Sequence, residues 1–157
     1  MTEHSGEVEP GTESGRGGVW VFGQALLLAL FLGSVIWGDP VQDVPGLTFA
    51  RITGLVVAVA GAAVSVWSAT YHGGNLTPFP KPPDEMPLIN GGPYRFVRHP
   101  MYSGILLFTL GTGLAYANPV TMLSSFAFFV FFMAKTGAEE EWLVAEVPGY
   151  RTYRSEV

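Results

Sequence analysis

Arg95, Arg98 and His99 stand together in "GGPYRFVRHPMYSG", residues 91–104, between two glycines and a long apolar run. Pro100 holds the residue before it in extended backbone and itself suits the first turn of a helix, so a helix is expected to open at Pro100. The free N–H groups and positive dipole end of that helix favour an anionic group such as a carboxylate, and Arg95 and Arg98 reinforce the attraction. Gly104, one turn further, leaves room for a ligand to lie against the backbone. The simpler use of these cations is to anchor a membrane helix among lipid headgroups.

A second polar group follows in "KTGAEEEWLVAEVPGYRTYRSEV", residues 135–157, where Glu139, Glu140 and Glu141 sit beside Trp142 and Leu143. Successive helical residues point about 100° apart, so the three acids cannot all face one site. Tyr150 and Tyr153, three apart, share a face if the tail is helical. Cationic, anionic and aromatic walls at a bilayer surface suit a zwitterionic cofactor with a carboxylate, an amine and an onium centre.

The elements that must position these groups are apolar. Of 157 residues, 48% are hydrophobic and 13% charged, and the mean hydropathy is +0.32. That is too apolar for an average soluble domain and points to one compact all-α membrane domain. Four segments carry it: Trp20 to Trp37, Ile52 to Tyr71, Met101 to Ala117 and Val120 to Ala134. The first two are long enough to cross a hydrocarbon core of about 30 Å, with tryptophans and a tyrosine near their ends. The last two are shorter and joined by Asn118 and Pro119, a tight helical hairpin. A buried soluble bundle would show a polar stripe on its helices, and these show none that is sustained.

Gly54, Ala58 and Ala62, like Gly61, Ser65 and Ala69, recur every four residues in the second segment, a spacing that lets membrane helices approach closely. With both termini and the 72–100 connector on the cytoplasmic side, Arg16, Lys81, Arg95, Arg98, Lys135, Arg151 and Arg154 all lie there and only Arg51 lies opposite. The expected protein is therefore a multi-pass bundle of about four crossings in the cell (inner) membrane. Residues 1–18, rich in Glu, Gly, Ser and Thr, read as a disordered tail, and residues 19–157 as a single domain. The tail lacks the basic region of a secretory signal.

The formal charge of −5 argues against a nucleic-acid partner. Cysteine is absent, which excludes disulfides and thiolate chemistry. His4, His72 and His99 have no second histidine at helical spacing, so no metal site is expected.

The motif "GGPYRFVRHPMYSG", followed by one apolar hairpin and "EEEWL…GYRTY", resembles the isoprenylcysteine carboxyl methyltransferase and phospholipid methyltransferase superfamily of integral membrane enzymes that use S-adenosylmethionine. The match runs from about Leu88 to Tyr153. The resemblance implies that Arg98, His99, Pro100, Tyr102 and Gly104 belong to a cofactor motif led into by Tyr94 and Arg95. It further implies that the acidic pair corresponds to Glu139 and Glu140, and the terminal tyrosines to Tyr150 and Tyr153. Val147 and Pro148 depart from the usual Phe-Gly pair ahead of those tyrosines.

Methyl transfer from a sulfonium is an in-line displacement, so alignment matters most. Arg98 and the helix start at His99 to Gly104 are assigned to the amino-acid end of the cofactor. Glu139 or Glu140 is assigned to its ribose or ammonium, with Glu140 also counted as catalytic. Arg95, by sign and position, is assigned to orient the head of a lipophilic acceptor entering from the bilayer. Two alternatives stand beside this reading. One is an NADPH-dependent sterol-reductase-like enzyme, whose related motif would need Asn at Met101 and Glu at Ile105; the other is a non-catalytic scaffold.

Overall fold

The computed structural model describes residues 17–42, 45–73, 76–81 and 86–157, and these contain helices and no strand. The expected tail falls outside the described residues as far as residue 16, while Gly17 and Gly18 already belong to the start of the first helix. In chain order the helices are α1 (Gly18–Trp37), α2 (Leu47–His72), α3 (Pro100–Tyr116), α4 (Pro119–Glu146) and α5 (Tyr150–Glu156), with a 3₁₀ turn at Gly92–Arg95 before α3.

Among the described residues, α1, α2 and α4 are long and apolar enough to cross a membrane, which makes the fold a helical membrane bundle. α3 has 17 residues, a rise of about 26 Å and slightly under the hydrocarbon thickness. α4 differs more from expectation. Its apolar run stops at Ala134, yet the helix continues to Glu146, because the Lys, Ala, Glu and Leu that follow are strong helix formers. The three glutamates therefore ride on the same rigid helix that crosses the bundle.

α2 and α3 pack antiparallel along a seam of small residues. A side chain at Gly54 would collide with the backbone of Gly111 and Ala115, one at Gly61 with that of Gly104 and Phe108, and one at Gly111 with that of Ala58. Gly54, Ala58, Gly61 and Ser68 are buried on α2. Ala62 and Ala69 are only half-buried, so the seam follows a mixed three- and four-residue step rather than either strict four-residue row.

α4 joins α1 through Phe31, Phe128 and Phe132 and through a hydroxyl pair, Ser34 Oγ to Thr121 Oγ1 at 3.1 Å. Ser125 Oγ donates to the Thr109 carbonyl of α3 at 2.8 Å. At the far end Asn118 accepts from the Val120 and Thr121 N–H groups to cap α4 and donates to the Asp39 carbonyl at 2.7 Å. These ties hold the end opposite the polar motifs closed.

Candidate functional site

The helix opens at Pro100, with His99 as its N-cap, which presents Arg98 and His99 to α4. Arg98 Nε donates to Glu140 Oε1 at 2.7 Å, His99 Nε2 lies 3.3 Å from the same oxygen, and Arg154 Nε lies 3.1 Å from Oε2. Both oxygens of Glu140 are thus engaged. One residue back on α4, Glu139 turns to a different side, where its Oε2 accepts from the Tyr102 hydroxyl at 2.6 Å. Glu141, one residue on, is exposed. The Tyr102 ring lies parallel to the His99 imidazole at 5.6 Å and stacks on Phe132 at 4.7 Å.

Buried Val147 ends α4, and Gly149, at φ +83°, turns the chain into α5. Tyr150 and Tyr153 then share a face, ring centroids 5.7 Å apart. Tyr153 donates its hydroxyl to the Tyr94 carbonyl at 2.6 Å, and the Tyr94 hydroxyl meets His72 Nε2 at 2.6 Å. The Tyr150 hydroxyl and His72 Nδ1 are buried with no partner among the described residues. Burial raises the phenols of Tyr94 and Tyr150 well above the usual tyrosine range, so both stay protonated and act as hydrogen-bonding groups, not as bases. Its hydrogen bond to Glu140 raises Arg98 further and keeps it charged.

These side chains surround a cavity of about 380 Å³, within the range of small-molecule sites, about 300 to 1,000 Å³. Tyr94, Arg98, His99, Tyr102, Glu139, Tyr150 and Tyr153 all line it. Glu140 stands behind the wall and fixes Arg98 and His99. Pro100 is buried in the helix start. Two expected positions lie elsewhere. Gly104 faces Ser65 and Gly61 of α2, so the space its missing side chain leaves is filled by a helix and not open to a ligand. Arg95 is exposed on the 3₁₀ turn and is not part of the wall.

The cavity also takes in Gln24, His72 and Lys135, none of which sequence reasoning singled out for the site. Lys135, counted by its position among the cations of the cytoplasmic side, is 1% exposed. Its ammonium donates to Gln24 Oε1 at 2.7 Å and to the Pro78 carbonyl at 2.8 Å, and it lies 5.4 Å from the Tyr102 ring centroid. A polar Gln in the largely apolar α1 was the available signal. Gln24→Leu should leave the buried ammonium with one hydrogen bond and cost about 1 to 3 kcal/mol. The Gln24→Leu/Lys135→Met pair should regain most of that in thermal melts, and an unchanged midpoint in Gln24→Leu would show that the contact carries no stability.

Among the described residues, a bundle of apolar helices with a polar-ended cavity defines a helical membrane protein. The chain belongs to the phospholipid methyltransferase family, which matches residues 49–148. It is 28% identical over 113 residues to a probable protein-S-isoprenylcysteine O-methyltransferase of Oryza sativa subsp. indica, covering 69% of this chain and 59% of the relative. With the protein-S-isoprenylcysteine O-methyltransferase of Schizosaccharomyces pombe it shares 38% identity over 72 residues, 45% of this chain and 30% of that protein. It is 29% identical over 140 residues to the cobalt-zinc-cadmium resistance protein CzcN of Cupriavidus metallidurans, 88% of this chain and 59% of the relative. The match to the rice protein thus spans less than two thirds of that relative's length. No solved structure matches the chain.

Proposed function

We propose that this protein is an integral membrane methyltransferase that moves a methyl group from S-adenosylmethionine to a lipophilic acceptor, with the cavity and both termini on the cytoplasmic side. The observation that carries the reading is the unmet polar capacity of the cavity wall, which has both signs. Arg98 uses only Nε among the described residues, Glu139 uses only Oε2, and the Tyr150 hydroxyl has no partner. A ligand with a carboxylate, an ammonium and hydroxyls satisfies all three, so the residues fit the cofactor.

Bound there, the cofactor would supply an electrophilic methyl group on a sulfonium. Arg98 would hold its carboxylate, and Glu139 its ammonium or ribose hydroxyls. The Tyr150 ring would favour the onium centre. Glu140, assigned from the sequence to contact the ligand and take part in catalysis, is better suited to positioning, since Arg98, His99 and Arg154 occupy it. Arg95, exposed outside the wall, is placed to meet lipid phosphates instead of the acceptor. The alignment these groups provide is what an in-line displacement requires.

The test is calorimetric titration of the detergent-purified protein with S-adenosylhomocysteine, with NADPH in parallel. Saturable binding of the former is expected, weakened at least ten-fold in Arg98→Ala while the protein stays folded. Binding of NADPH alone would support the reductase, and binding of neither would support a scaffold.

A further inference from the structure

His72 is the last residue of α2 and lies outside the sequence motif, yet it lines the cavity. Its ring is held from one side. Nε2 lies 2.6 Å from the Tyr94 hydroxyl, the two rings meet edge to face at 5.5 Å, and Tyr94 is itself fixed through its carbonyl by Tyr153. The other nitrogen, Nδ1, is buried with no partner among the described residues. A buried nitrogen left unpaired is costly unless something in the cavity meets it.

Resting on the methyltransferase reading above, we infer that His72 Nδ1 takes the proton of the methyl acceptor, and that the acceptor is a neutral lipophilic hydroxyl, thiol or amine compound whose reacting heteroatom carries a proton. With its own proton on Nε2, directed at the Tyr94 oxygen, the imidazole presents a lone pair at Nδ1. The heteroatom's lone pair forms the bond to the methyl carbon, the methyl–sulfur bond breaks with its electrons passing to sulfur, and the heteroatom's proton passes to Nδ1. One positive charge enters as sulfonium and one remains as imidazolium, so the cavity's net charge is unchanged.

The other groups able to take a proton are engaged or, as with His99 Nδ1 and one oxygen of Glu139, sit on residues assigned to the cofactor. Glu140 has both oxygens in ion pairs, the His99 Nε2 faces Glu140, and Lys135 is tied to Gln24 and Pro78. Glu139 keeps one free oxygen, but it also holds Tyr102 and is assigned to the cofactor. A carboxylate acceptor would bring no proton for His72 to take and would set two acceptors against each other.

The test uses the full chain in lipid nanodiscs saturated with S-adenosylhomocysteine, titrated with 4-nonylphenol or with decanoate as the carboxylate probe. His72→Gln keeps an amide near the Tyr94 hydroxyl and removes the Nδ1 position. Wild type should bind 4-nonylphenol at least ten-fold more tightly than decanoate. His72→Gln should lose about ten-fold of that affinity with S-adenosylhomocysteine binding unchanged, and single-turnover methylation of 4-nonylphenol should slow about a hundred-fold, the usual range for a lost general base. Preference for decanoate, no binding of the phenol to wild type, or an unaffected variant would each overturn the inference. Should His72→Gln no longer hold S-adenosylhomocysteine, the wild-type His72 Nδ1 nitrogen resonance decides: it must move when the phenol is added, and a still resonance overturns the proposal. Failure of wild type to bind S-adenosylhomocysteine would instead remove the methyltransferase reading on which this one rests.

Discussion

Glu140→Ala is expected to weaken S-adenosylhomocysteine binding by at least a hundred-fold, about 3 kcal/mol. The side chain is 10% exposed and gathers Arg98, His99 and Arg154 onto its two oxygens. Its removal leaves Arg98 without the partner that aims it at the cavity, and it leaves His99 without the partner that holds its ring parallel to Tyr102. Arg98 and Arg154 are partly exposed, so solvent compensates some of the lost ion pairing and the stability cost should be modest. The loss falls mainly on binding, because water can solvate a freed guanidinium but cannot orient it. Glu140→Gln, which keeps the shape and one acceptor oxygen, should lie between wild type and Ala. Glu141→Ala, on the exposed side of the same turn, should bind like wild type. Calorimetry on the three variants tests this, and a Glu140→Ala affinity within three-fold of wild type would remove Glu140 from the site.

That prediction could not have been made for a single glutamate from the sequence. The 100° step between residues says that Glu139, Glu140 and Glu141 diverge, but not which one turns inward, since that depends on how α4 is rotated against α3. The start of α3 at Pro100 and the tight turn at Asn118 and Pro119 were legible because proline acts on its own neighbourhood. The small-residue seam of α2 was legible as a packing face, though not in its partner or register. Gly104 illustrates the difference. Its missing side chain announces a close approach, and only the neighbouring helix decides whether a ligand or Ser65 occupies the space. For a related reason, Lys135 and His72 were not singled out. A cation at the end of an apolar run reads as a surface anchor until the helix is seen to continue, and a lone histidine carries no signal until Tyr94, 22 residues away, is found against it.

Gly111→Val should be the most disruptive single change in the bundle. A side chain there meets the backbone of Ala58 and Gly54 on α2, and backbone atoms cannot swing aside as a side chain can. Overpacking of an ordinary core costs about 1 to 3 kcal/mol; here the helices themselves must part, and a cost of about 3 kcal/mol or more is expected. Membrane helices gain little from the hydrophobic effect against each other, so close backbone packing is a large share of what holds this pair. Gly137→Ala is the matched control: nothing lies within 4 Å of the added carbon, and replacing a helix-interior glycine should stabilise by about 0.5 to 1 kcal/mol. Thermal melts in detergent should therefore move in opposite directions for the two variants, and equal midpoints would mean that the seam is not the fold's main contact. The consequence reaches the site, because α2 ends in His72 while α3 begins just after Arg98 and His99. The register of the seam sets how far apart those side chains stand across the cavity, so a variant that parts the helices should lose S-adenosylhomocysteine binding even where some helical structure survives.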